Sequence, residues 1–288
     1  MNRLLFASLG ASLLLLNASC SFLEPAGGHG HGHDAASRRA SGAPAESGHA
    51  HHGGGEAAYG APKASFAFPD GVPAPGKSTT LTIGLRDEAG AVIEKFDVNH
   101  EKLMHLIVVS EDLSHFEHLH PEYEGNGTFR VDLTFPAGGR YKLFADFAPS
   151  GGAQTTIGEW IDVEGEGAGR PIVPDAELAK TIDGMRIELD VEGLSPNADT
   201  MLTFSFKDAA SGRPVDDLEP YLGAVGHVVI LSKDAETYLH VHPADEASTG
   251  PKAMFHTSFP SSGTYKIWGQ FQHQGRLITV PFVVNVTK

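Results

Sequence analysis

The chain has 288 residues, 41% hydrophobic and 20% charged, enough apolar material for two domains of ordinary size. Lys plus Arg number 21 against 36 Asp plus Glu, and a formal charge of -15 argues against nucleic acid and anionic lipid headgroups as partners. A single cysteine excludes an intramolecular disulfide, a CxxC zinc ribbon and a cysteine-ligated blue-copper centre, whereas 16 histidines are anomalously many.

Residues 1–20 read as an export signal. Met1, Asn2 and Arg3 form a short positive region, and residues 4–16 are an apolar run too short to span a membrane permanently. Leu16-Asn17-Ala18-Ser19 before Cys20 resembles a bacterial lipoprotein box, with Asn17 where an aliphatic residue is usual. That resemblance implies lipidation at Cys20 and an extracytoplasmic protein anchored to the cell membrane. The alternative is an ordinary secretory signal with an incidental cysteine.

Residues 21–62 are Gly, Ala, Ser and His with almost no large apolar side chain, so a flexible tether is expected. The tether carries His29, His31 and His33, then His49, His51 and His52. Such clusters suit loose metal capture, or are simply a polar spacer.

From residue 63 the texture changes to short alternating runs of Val, Ile, Leu, Thr and Phe, punctuated by Gly, Asp, Asn and Pro. That pattern predicts an all-β chain of sandwiches or barrels. The expected organisation is a β-sandwich over 63–165, a Gly- and Pro-containing linker over 166–180, and a second β-sandwich over 181–288.

The two β-regions are copies. His105 leads to His118-Leu119-His120-Pro121, and His227 leads to His240-Val241-His242-Pro243, so both copies read H-x12-H-x-H-P. Both then reach a shared segment, Phe135-Pro136 to Tyr141-Lys142 in one and Phe259-Pro260 to Tyr265-Lys266 in the other. There proline and glycine are expected to make a turn and the aromatics to enter the core. Each copy is roughly 100 residues, the size of an immunoglobulin-like sandwich.

Residues i and i+2 of a strand share a face, so His118 pairs with His120 and His240 with His242. A hairpin turn near residues 111–114 places His105 opposite His120 in one register and opposite His118 in the next. A turn near Asp234 brings His227 against His240 and His242. Opposed Cβ atoms lie ~5 Å apart, close enough for three imidazoles to share one ion. His105, His118, His120, His227, His240 and His242 are therefore the candidate metal ligands, for copper or zinc. Candidate fourth ligands are His100, Met104 and Asp146 in the first copy, and His256 and His273 in the second. The competing reading is a structural polar cluster of hydrogen-bonded rings.

HLIVVSEDLSHFEHLHP, FPAGGRYKLFADFAP and LGAVGHVVILS resemble bacterial secreted and lipoprotein domains grouped as YtkA-like or FixH-like. The resemblance implies immunoglobulin- or cupredoxin-like sandwiches of the cell envelope, the same six histidines as shared positions, and copper or other metal handling in some relatives. Three functions compete. The first is metal capture, buffering or delivery to a membrane transporter or a metalloprotein. The second is a metal-free immunoglobulin-like structural or interaction module. The third, an enzyme, is the least expected, since no HExxH, GxSxG, phosphate loop or catalytic carboxylate pair is evident.

Overall fold

The computed structural model describes residues 59–288. The signal segment, Cys20 and the tether histidines lie outside the described residues. Among the described residues all regular structure is β, and no helix is long and apolar enough to cross a membrane.

The first half runs through β1 (Lys63–Ala67), β2 (Ser78–Arg86), β3 (Phe96–Asp97), β4 (Met104–Ser110), β5 (Phe116–Leu119), β6 (Glu122–Gly125), β7 (Thr128–Thr134), β8 (Gly139–Pro149) and β9 (Thr155–Val163). The second runs through β10 (Ala179–Ile182), β11 (Met185–Glu192), β12 (Thr200–Asp208), β13 (His227–Ser232), β14 (Tyr238–Val241), β15 (Lys252–Thr257), β16 (Gly263–His273) and β17 (Arg276–Val286). Each half is a two-sheet sandwich. In the first, β1-β2-β7-β6 faces a sheet in which β8 pairs with β3, β4 and β9, and β4 with β5. In the second, β10-β11-β12-β15 faces β14-β13-β16-β17.

Strand alternation builds both cores. In β2, Leu81, Ile83 and Leu85 point inward between half-buried or exposed neighbours. They meet Met104, Leu106 and Val108 of β4 and Tyr141, Leu143, Ala145 and Phe147 of β8. The second core is the counterpart, with Leu202, Phe204 and Phe206 against Val228, Ile230, Tyr265, Ile267 and Phe271. The shared turn segment behaves as its composition predicts. Phe135 and Tyr141 pack edge to face at 4.8 Å, Phe259 and Tyr265 likewise at 4.8 Å, and all four rings are buried.

β4, β8, β13 and β16 are buried on both faces, which a two-layer sandwich alone does not require. Their outward residues form a third apolar cluster joining the two halves. It comprises Ile107, Val109, Leu113 and Phe144 from the first, with Val229, Leu231, Ala235 and Trp268 from the second. These are four pairs of repeat-equivalent positions, so the sandwiches meet back to back about an approximate two-fold relation. Phe116 stacks on Trp268 at 4.7 Å and its counterpart Tyr238 stacks on Phe144 at 5.0 Å. Each such pair contributes about 0.5–1.5 kcal/mol beyond burial. Lys142 and Lys266, also equivalent, reach across in opposite directions. Lys142 Nζ donates to Glu236 at 2.8 Å and Lys266 Nζ to the Leu113 carbonyl at 2.6 Å.

Candidate metal centre

The β4–β5 ladder pairs Leu106 with Leu119 and Ile107 with His118. Continued by one residue, this register sets His105 against His120. The β13–β14 ladder pairs Val228 with Val241, which sets His227 against His242. His105 sits on the outer face of β4 beside Ile107 and Val109, while His118 and His120 share the outer face of β5 with Phe116. Both trios therefore project into the seam between the sandwiches, at one end of its apolar cluster. The sequence pattern groups three histidines in each copy. The structure brings both groups, and a seventh histidine, into one place.

In the first sandwich, ligand nitrogens of His105, His118 and His120 all lie within 4.8 Å of one another. His105 Nδ1 stands 2.9 Å from His118 Nε2. The outer partner of His105 fixes which of its nitrogens carries the proton. His105 Nε2–H donates to the Asn99 carbonyl at 3.0 Å, and a carbonyl can only accept. His118 Nδ1–H donates to Gln270 Oε1 at 2.7 Å, and Gln270 is oriented by its own Nε2–H donation to Thr279 Oγ1 at 3.2 Å. With the Gln270 amide oxygen turned to His118, both protons are spent outward and two lone pairs face each other across 2.9 Å. His120 Nε2 is buried and has no partner.

Protonation does not relieve this contact. Burial pushes His105 down to about 4, and burial with the neighbouring His105 charge does the same to His120. His118 lies well below the ordinary histidine value, first through burial and then through His105. Near neutral pH these are unprotonated rings with inward lone pairs, the state a metal ligand requires.

The second sandwich repeats the outer bonds but not the inner convergence. His227 Nε2–H donates to the Tyr221 carbonyl at 3.1 Å, matching His105 and Asn99. His240 Nδ1 lies 2.8 Å from Asp146 Oδ2, matching His118 and Gln270. His240 Nε2 is buried without a partner. The rings of His227 and His240 stand 5.9 Å apart, against 5.1 Å for His105 and His118. His227 is pushed to about 3 by burial and by the histidines around it. His242 has part of its surface in solvent, yet burial and His240 lower it to about 4.

Of the fourth-ligand candidates, only His100 and Asp146 touch the histidines. Met104 faces its own core, because β4 alternation directs it inward. Asp146 supports His240 rather than adding a ligand to the first trio. His256 is exposed beside Asp199 at 3.5 Å, and His273 donates from Nε2 to Asp217 at 3.1 Å. Both lie outside the cluster, because their strands present them elsewhere. His100 belongs to the first sandwich but sits against the second trio, with Nε2 2.5 Å from His242 Nδ1. Sequence reasoning missed Gln270 as a supporting residue. Its signal was its place four residues after Lys266, where Asp146 follows Lys142.

A single family model, described as “Domain of unknown function (DUF8832)”, matches residues 62–165 and 180–288. No curated protein matches the chain. Among solved structures, the chain is similar to the Escherichia coli adhesin FdeC, at 19% identity and a TM-score of 0.27, covering 81% of this chain and 66% of that one. It is similar to invasin, a bacterial integrin-binding protein, at 15% identity and a TM-score of 0.22, covering 77% and 39%. It is also similar to a two-domain fibronectin type III segment of chicken tenascin, at 15% identity and a TM-score of 0.23, covering 78% and 98%. The chain spans less than two thirds of FdeC and of invasin. At these TM-scores the likenesses transfer no activity.

Proposed function

We propose that this chain, which belongs to the DUF8832 family through both of its sandwiches, is an extracytoplasmic lipoprotein that binds copper or zinc through the histidines of its domain seam. One observation carries the reading. His105 Nδ1 and His118 Nε2 face each other at 2.9 Å with both protons committed to outward acceptors, inside a site that resists protonation. A cation between two imidazoles removes that repulsion. Ligands on a tetrahedral ion stand about 3.3 Å apart, given bonds of 2.0–2.1 Å, so little rearrangement is needed. Outward N–H bonds to carbonyl, amide and carboxylate acceptors are also what metal-bound histidines use to hold tautomer and orientation.

The export signal, Cys20 and the tether histidines supply the rest of the proposal. Lipidation at Cys20 keeps the site at the membrane, the tether collects ions weakly, and the seam holds them for a transporter or metalloprotein. Imidazole sites favour copper over zinc in affinity.

A second reading rests on the architecture. Two immunoglobulin-like sandwiches joined through an apolar seam suit an interaction module, with the histidines as a structural cluster. Metal content separates the two. The full chain with His29, His31, His33, His49, His51 and His52 changed to Asn is equilibrated with micromolar free Cu(II) or Zn(II) and its bound metal measured by mass spectrometry. At least one ion per chain is expected, with one ion fewer on His105→Ala. A chain that retains none sinks the metal reading and leaves the interaction module.

A further inference from the structure

We infer that the seam holds two unlike ion sites, and that the second is closed across the domain boundary by His100 of the first sandwich. The inference rests on the metal-binding reading above and extends it to a site with ligands from both repeats.

The argument starts from a duplicated turn. Asn99 and Lys102 bridge in the first sandwich, Tyr221 and Ala224 in the second, just before His105 and His227. The backbone matches residue by residue, with positive φ at His100 (44°) and Glu101 (63°) and again at Leu222 (52°) and Gly223 (77°). The side chains differ. Leu222 is buried, whereas His100 reaches over the seam.

His100 enters the second trio. Its ring centroid lies 4.7 Å from that of His227, 4.6 Å from His242 and 6.0 Å from His240, but 6.4 Å from His105 of its own sandwich. The buried, unpartnered Nε2 of His240 belongs to the same cluster. His100, His227, His240 and His242 offer four imidazoles, enough for a tetrahedral set once the rings turn inward, whereas among the described residues the nitrogens of His105, His118 and His120 already lie within 4.8 Å of one another. His105, His118 and His120 offer three, with a position left for water or an incoming ligand.

The supporting residues differ in the same sense. His240 is braced by the Asp146 carboxylate and His118 by the neutral Gln270 amide. An anionic brace raises ligand basicity and holds the ion more firmly. The second site is therefore a retaining site that ties the sandwiches together through His100 and Asp146, and the first is an exchanging site.

The test uses the full chain with tether histidines changed to Asn, loaded with Zn(II) and passed through a chelator before metal counting. Two ions are expected after loading and one after brief chelation. His100→Asn, which tolerates the left-handed backbone, should lose the retained ion and keep the exchangeable one. His118→Ala with His120→Ala should do the reverse. Asp146→Asn should weaken retention about 10- to 100-fold. Circular dichroism of each variant keeps misfolding apart from ligand loss. Two ions in folded His100→Asn, or a single wild-type ion that survives it but not the His118/His120 change, overturns this inference and leaves the metal-binding reading intact. No ion in the parent chain overturns both.

Discussion

His240 and Asp146 lie 94 residues apart and in different sandwiches, yet their Nδ1 and Oδ2 stand 2.8 Å apart in the seam. Their side chains are 8% and 1% exposed. Gln154 Nε2–H donates to Asp146 at 2.5 Å and Thr156 Oγ1–H at 3.3 Å, so β9 and its approach hold the carboxylate while it braces the other domain.

Removing that brace is costly. Asp146→Ala leaves both nitrogens of His240 without a partner, and should destabilise the metal-free fold by about 1–3 kcal/mol. Asp146→Asn keeps an acceptor and should lose less. Urea unfolding compares the three, and equal midpoints would show that the contact adds no stability.

The apolar part of the seam is the larger contributor. Trp268→Ala removes a ring that is 3% exposed and stacked on Phe116. A loss of about 3–5 kcal/mol is expected. Phe144→Ala should behave alike, because it is the repeat-equivalent ring stacked on Tyr238. Each sandwich keeps its own core in these variants, so calorimetry should resolve two transitions where the wild type shows one. A single transition at the wild-type midpoint would contradict the seam's importance.

Acid should destabilise the metal-free protein. His105 and His120 fall to about 4 in the fold and His227 to about 3, against an unfolded value near 6.5. The unfolded chain binds more protons between those values. Stability is therefore full above about pH 6.5 and is lost as pH falls toward 3–4. His105, 1% exposed, accounts for on the order of 3 kcal/mol by itself. A melting temperature constant from pH 7.5 to 5 would refute this. Metal occupancy should fall in the same window, since protons compete for the ligands.

The Lys142–Glu236 bridge should matter little. Lys142 is 7% exposed but Glu236 is 63% exposed, so solvent screens the pair. Glu236→Gln should cost about 0–1 kcal/mol in urea unfolding, less in high salt.

Gly226 should tolerate no side chain. A Cβ there would lie 2.5 Å from Phe271 Cδ1 and 2.6 Å from the Gln270 carbonyl, next to the residue that starts β13. Gly226→Ala should cost about 1–3 kcal/mol and displace His227, lowering zinc retention more than His105-dependent binding. Unchanged retention would place His227 outside the second site.

Much of this was legible in the sequence. The duplicated H-x12-H-x-H-P spacing placed His118 with His120 and His240 with His242, because strand periodicity assigns residues to faces without any tertiary contact. One of the two hairpin registers open at that level, His105 against His120, is the one that β4 and β5 extend. In β4 apolar residues fill both faces, since Ile107 and Val109 alternate with Leu106 and Val108 and all four are buried.

Alternation says which residues share a face, but not what covers it. The packing of the outer faces of β4 and β13 against each other is a long-range contact, and it merges two expected histidine trios into one seam. His100 lies in a turn, where no periodicity predicts direction, and its left-handed backbone carries the ring to the opposite domain. Asp146 and Gln270 were visible as unlike residues at like positions, yet which histidine each supports depends on the packing of the two sandwiches. The histidine positions, their pairing and their duplication could be read from the chain alone, because they are local consequences of strand geometry. The fold decided their partners, because those contacts are set by side chains 94 to 152 residues apart.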